Sequence, residues 1–158
     1  MQVSLQGSFK VQELEVRFKP RRKHDPVYVK NPEDAYQVVR PLLERQPREL
    51  LLVLALSEAN EIIGLEVVAQ GTANYAPACP REIFKAPLLT NATAILVAHN
   101  HPSGNLTPSD EDRNTAKAIA RAGKILDIKL LDFIIAGPDY FQSFAQSSTE
   151  NELLKGGD

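Results

Sequence analysis

The sequence predicts a single α/β domain, a mixed β-sheet flanked by helices, on three observations. Leu50–Leu56 and Ala92–Ala98 are apolar throughout apart from Thr93, as strands covered on both faces are. Segments with helical periodicity and recognisable N-terminal caps alternate with the strands. Leu50–Leu56 is separated from a second strand-like run, Ile62–Ala69, only by the turn-like Ser57-Glu58-Ala59-Asn60 and Glu61. That spacing predicts an antiparallel hairpin, which makes the sheet mixed rather than purely parallel.

Taken in order, Leu14–Phe18 alternates apolar Leu14, Val16 and Phe18 with charged Glu15 and Arg17, the pattern of a half-exposed strand. Residues 19–30 read as a loop. Asn31-Pro32-Glu33-Asp34 starts a helix, with Asn as N-cap, Pro in the first turn and two acids beside it. The helix runs to about Arg45 with Ala35, Val38, Val39 and Leu42 on one face. After the hairpin, residues 71–80 are irregular, and a helix from Pro80 or Arg81 to about Leu89 is kinked or shortened by Pro87. Thr107-Pro108-Ser109-Asp110 places Thr as N-cap of a helix to about Leu126. Leu130–Ala136 is a strand, Gly137-Pro138 turns the chain, and a short strand lies near Tyr140–Phe144. The last ten residues read as frayed. The chain thus divides into an N-terminal strand and basic arm (1–30), the α/β domain (31–146) and a C-terminal tail (147–158).

Composition excludes several classes. The 158 residues are 43% hydrophobic and 24% charged, which suits a packed domain and not a disordered chain. The single cysteine, Cys79, rules out an intrachain disulfide and a four-cysteine zinc site. With 6% aromatic residues and no Trp, a stacking platform for single-stranded nucleic acid is a poor fit. No charged leader with an apolar run opens the chain, and no stretch approaches the ~20 apolar residues needed to cross a bilayer, so a cytoplasmic location and no membrane contact are expected. The net charge of −2 hides an asymmetry. Residues 1–30 carry seven Lys/Arg against three acids (+4), and the remainder carries eleven against seventeen (−6). The basic cluster around Arg21, Arg22 and Lys23 is either a solvated linker or a weak nucleic-acid contact.

Two of the three histidines stand together as His99-Asn100-His101, directly after the buried strand Ala92–Ala98. Side chains two apart on a strand point the same way, so both imidazoles face one site. The loop Pro102–Leu106 returns the chain to a helix that presents Ser109 and Asp112 in its first turns. Two imidazole nitrogens and one carboxylate oxygen, from His99, His101 and Asp112, suit a catalytic Zn2+ with its fourth position open. The helix N-terminus also aims free N–H groups and a positive dipole end at the pocket.

The spacing His-x-His-x7-Ser-x-x-Asp across His99, His101, Ser109 and Asp112 resembles the signature of the JAB/MPN (JAMM-motif) metalloproteases. The residues around it, Ala98–Gly104 and Thr107-Pro108-Ser109, with Gly71-Thr72, Pro80–Lys85, Asn91-Ala92 and Leu130–Asp132, are similar to the RadC-like branch over roughly residues 31–144. The resemblance implies a layered sandwich of the cytidine-deaminase-like kind and a Zn2+ site on His99, His101 and Asp112. It also implies a glutamate on an earlier strand that moves the proton of a metal-activated water. Glu66 fits by position; on strand pattern alone it reads as an ordinary solvent-facing residue. Ser109 would donate to a tetrahedral oxyanion, or its hydroxyl simply satisfies the helix start. The implied reaction is hydrolysis of a peptide or isopeptide amide in an unidentified protein or peptide. The alternative is a DNA-repair-associated accessory protein with a metal site and little turnover. A nucleobase deaminase is set aside because its His-x-Glu and Pro-Cys-x-x-Cys motifs are missing. Three positions depart from the branch: Phe133 replaces a usual His, Cys79 reads as a small buried hydrophobe rather than a fourth ligand, and Pro87 interrupts the middle helix.

Overall fold

The structure, a computed structural model, describes residues 25–71 and 79–157. Helix α1 (Pro32–Leu43) begins where Asn31 accepts the Asp34 N–H at 2.9 Å. Strands β1 (Leu50–Leu56) and β2 (Ile62–Gln70) form the expected antiparallel hairpin. Two short helices follow, α2 (Pro80–Ile83) and α3 (Lys85–Leu89), then β3 (Ala94–Asn100), helix α4 (Asp110–Leu126), β4 (Lys129–Ala136), β5 (Phe141–Ser143) and a 3₁₀ helix at Asn151–Lys155.

The five strands make one mixed sheet in the order β2-β1-β3-β4-β5, with β3 and β4 parallel and the other pairs antiparallel. One face carries Leu52, Leu54, Leu56, Leu96, Ala98 and Ile134 against Ala35, Tyr36 and Val39 of α1. The other carries Leu51, Val53, Ile95, Val97, Phe133 and Ile135 against Ala116, Ile119 and Ala120 of α4. Continuous apolar runs were required because β1 and β3 are buried from both sides. Gly123 permits the close return of the chain after α4, since a Cβ there would lie 2.3 Å from the Ile128 carbonyl oxygen.

Several boundaries differ from expectation. Strand β3 starts at Ala94 because the Ala92 N–H is taken by the Pro87 carbonyl at 2.9 Å, and it continues through His99 and Asn100. The Asn100 side chain extends the sheet by accepting from Leu50 N (2.9 Å) and donating to the Arg48 carbonyl (3.1 Å). Pro87 does not break the middle helix: the interruption is at Phe84, and Pro87 occupies the third position of α3, where no N–H is needed. Helix α4 is capped by Ser109, not Thr107, because Ser109 and Asp112 form a reciprocal capping box that Thr107 and Asp110 do not.

Residues 150–155, expected to be frayed, are docked. Leu153 and Leu154 pack against the α4-side core, and buried Glu150 accepts Arg113 Nε at 3.1 Å. Residues 27–29, expected to be loop, lie along the start of β2 through Ile62 N to Val27 O (2.8 Å) and Val29 N to Asn60 O (2.9 Å). The predicted strand Leu14–Phe18 and the cluster Arg21, Arg22, Lys23 lie outside the described residues. Among the described residues no helix is long and apolar enough to cross a membrane.

Candidate metal centre

Strand β3 delivers His99 as its penultimate residue, and His101 follows just beyond the strand. The two rings sit edge to face with centroids 4.7 Å apart, so the same-side expectation for an i, i+2 pair holds. Asp112 enters from the first turn of α4. His99 Nε2 lies 3.2 Å from Asp112 Oδ1, and His101 Nε2 lies 3.3 Å from Asp112 Oδ2. One ligand atom from each residue falls within 4.8 Å of the other two, a span that a single ion can bridge.

Each donor is held by the fold. Ser109 secures Asp112 through its backbone N–H (2.7 Å) and its hydroxyl (2.8 Å), both donating to Oδ2, while that hydroxyl accepts the Asp112 N–H at 3.1 Å. His101 Nδ1 is 2.5 Å from the Asn105 carbonyl, an acceptor only, so Nδ1 carries the hydrogen and Nε2 is turned to the site. His99 is 4% exposed, and its Nε2, despite the approach to Oδ1, has no aligned hydrogen-bond partner. A buried imidazole nitrogen left unmatched is costly unless something else binds it, and a metal ion satisfies that need.

The charges follow from this packing. Burial pushes His99 down to about 4, against the opposing pull of the Asp112 carboxylate, so it is neutral at pH 7. His101 is raised, chiefly by its bond to Asp112. Burial pushes Asp112 up, but His101, His99 and Ser109 together outweigh it and hold the carboxyl at about 2. Two imidazoles and an ionised carboxylate constitute a borderline-hard donor set suited to zinc.

The centre opens into a cleft of about 280 Å³, floored by Leu51 and Phe133 and walled by the 101–107 loop and the start of α4. Phe133 lines the cleft, its ring centroid 5.3 Å from that of His99 and 5.0 Å from that of Phe144. Beside it, Asp132 is buried and accepts from Ser143 Oγ (2.6 Å), Phe133 N (2.8 Å) and Ala145 N (2.9 Å). Cys79 is exposed, not buried as expected, and does not belong to the ligand cluster.

Glu66 is not brought to this cleft. It pairs with Val53 on β1, two residues from Leu51, which pairs with His99. Standard strand spacings then put its Cα roughly 12 Å from that of His99. Its Oε2 is buried without a hydrogen-bond partner. The acidic residue that does line the cleft is Glu49, at the entry to β1. Extending the Leu51–His99 register by two residues sets Glu49 opposite His101, and its charge contributes to raising His101. Sequence reading missed Glu49 because its position depends on β1 being the strand next to β3. The available signal was a charged residue directly before a wholly apolar run.

Comparison with known proteins agrees with this geometry. The family model described as RadC-like JAB domain matches residues 29–150. A "UPF0758 protein" of Staphylococcus aureus is 35% identical over 150 residues, covering 95% of this chain and 64% of the relative. A UPF0758 protein of Pseudomonas fluorescens is 36% identical over 117 residues, 74% of this chain and 52% of the relative. One from Actinobacillus pleuropneumoniae reaches 46% over 100 residues, 63% of this chain and 46% of the relative. The chain spans about half the length of most of these curated relatives.

Proposed function

Because the chain belongs to the RadC-like JAB domain family, we propose that it is a zinc-dependent hydrolase acting on a peptide or isopeptide amide. The observation that carries this reading is the convergence of His99, His101 and Asp112 on one point, with His99 Nε2 buried and unmatched. His99, His101 and Asp112 would hold the ion. When bound, zinc supplies Lewis acidity that lowers the pKa of water and polarises an amide carbonyl.

The chain's own residues do the rest. Glu49, lining the cleft across from His101, accepts the proton released by the attacking water and returns it to the leaving amine. We assign this role to Glu49 in place of Glu66, which stands two strands from the ligands' strand. Ser109 commits its hydroxyl proton to Asp112, so its role is to fix the carboxylate. Asn105 fixes the His101 ring through its carbonyl. Phe133 and Leu51 exclude water from the floor of the cleft.

The test compares Glu49→Gln with Glu66→Gln. Native protein should contain about one zinc per chain and cleave an amide in a peptide and isopeptide screen. Glu49→Gln should keep the zinc and lose turnover by about 10²-fold or more, on the order expected for removing a general base. Glu66→Gln should keep both. Loss of turnover in Glu66→Gln alone would return the role to Glu66, and native zinc-loaded protein without any amide cleavage would overturn the hydrolase reading.

A further inference from the structure

We infer that the segment from Phe144 to Glu150 is a brace that sets the spacing between His99 and Asp112, so that its docking and metal binding strengthen each other. This rests on the metal site of the reading above and adds to it what holds the two ligand-bearing elements together.

His99 stands on β3 and Asp112 on α4. Core packing holds the middle of α4 to the sheet through Ala116, Ile119 and Ala120, but the first turn, which carries Asp112, lies ahead of those contacts. The Asn105 and Ser109 bonds that fix His101 and Asp112 are local to the loop and the helix start, and none of them reaches β3.

The segment touches both sides. At one end Phe144 is fully buried against Phe133, the ring that packs on His99, and its N–H donates to the Phe133 carbonyl at 3.1 Å. At the other end buried Glu150 takes Arg113 in a fork: Nε lies 3.1 Å from Oε1 and 3.2 Å from Oε2, and Nη2 lies 3.1 Å from Oε1. Arg113 is the residue after Asp112, and its own N–H closes the first turn on the Ser109 carbonyl at 3.2 Å. Between the two ends the chain is tied to itself. Ser147 N–H donates to the Phe144 carbonyl (3.1 Å), and Ser147 Oγ accepts the N–H of Thr149 (3.3 Å) and of Glu150 (3.2 Å). A short, internally bonded link thus runs from the ring beside His99 to the residue beside Asp112. A buried carboxylate needs its partner in place, so Glu150 keeps Arg113 fixed. The coupling is reciprocal: an ion that holds Asp112 also holds the first turn of α4, and with it Arg113 against Glu150.

The experiment measures Zn2+ affinity by competition against a chelator, and the visible absorption of Co2+ bound in its place, for native protein, Glu150→Gln and Val39→Ala. Glu150→Gln should bind Zn2+ about tenfold more weakly and shift the Co2+ bands, which report ligand geometry. Val39→Ala opens a cavity in the α1-side core, on the other face of the sheet, and lowers stability without touching the brace. It should leave both readings at their native values. In native protein, with no variant to misfold, Zn2+ should slow amide exchange at residues 147–153 by a similar factor. Native affinity and bands in Glu150→Gln, an equal loss in Val39→Ala, or exchange at 147–153 indifferent to Zn2+ would each overturn the brace and leave the metal site standing. Native protein that took up neither ion would overturn the site beneath both.

Discussion

Ser109 grips a single oxygen of Asp112 twice, by its backbone N–H at 2.7 Å and its hydroxyl at 2.8 Å, so one capping box both starts α4 and orients a candidate metal ligand. Helix initiation and ligand geometry are therefore the same set of bonds. Ser109→Ala keeps the backbone bond and loses the hydroxyl. It should cost about 1 kcal/mol of stability, as loss of an N-cap does. It should also weaken zinc binding by about tenfold, as loss of a bond to a ligating group does. Thermal denaturation and competition against a chelator measure the two separately. Weakened zinc binding with no change in stability would disconnect the cap from the site.

The histidines predict opposite responses to pH. His99 is depressed from 6.5 to about 4, so between those values the unfolded chain binds the proton that the folded chain refuses. Stability of metal-free protein should therefore fall as pH drops from 6.5 to 4, by an amount on the order of 3 kcal/mol. Asp112, depressed from 3.8 to about 2, adds loss only at lower pH. His101 is raised, so its contribution is present below 6.5 and is lost as pH climbs through its folded value. Denaturant titrations at several pH values, native against His99→Gln, isolate the first effect, which should vanish in the variant. A slope between pH 4 and 6.5 that survives in His99→Gln would assign it elsewhere.

Zinc competes with a proton at His101, whose imidazole is raised chiefly by its bond to Asp112. Affinity should fall as pH is lowered through and below the His101 value. Calorimetry in buffers of different ionisation enthalpy counts the protons released. The number released should rise as the pH is lowered toward the His101 value, and no release at any pH would contradict the assigned bond.

Phe133 packs against His99 and is 1% exposed. Phe133→Ala should cost about 3–5 kcal/mol, the usual range for a large cavity, and should loosen zinc binding with it. Phe133→His restores the residue usual in the RadC-like branch but introduces a polar ring between His99 and Phe144. A cost of about 1–3 kcal/mol is expected, with zinc retained. Urea denaturation with parallel zinc analysis checks both.

The basic cluster makes its own prediction. If Arg21, Arg22 and Lys23 touch phosphates, replacing all three with Ala should flatten the dependence of log affinity for DNA on log salt. The slope should change by about one for each phosphate that is no longer neutralised. An unchanged slope leaves the cluster as a solvated linker.

The sequence was most legible where one local force acts alone. Apolar runs covered on both faces disclosed β1 and β3, and the Asn31 cap located the start of α1 to the residue. The clustering of His99, His101 and Asp112 was legible because His-x-His on a strand end and Asp on a helix start need only local geometry to point the same way. What failed depended on tertiary partners. Thr107 and Ser109 both offered a cap, and only the second could complete a box with Asp112. Leu153, Leu154 and Glu150 are ordinary in sequence and become ordered only by meeting α4 and Arg113. Glu49 entered the cleft through strand order β2-β1-β3, which no local pattern encodes.

Zinc K-edge absorption on the loaded protein interrogates the shared ligand point without relying on turnover. It should show only nitrogen and oxygen neighbours at about 2.0–2.2 Å, with the multiple scattering of two imidazoles, and one imidazole fewer in His99→Ala. A sulfur neighbour at about 2.3 Å, or a native spectrum with no imidazole scattering, would contradict it.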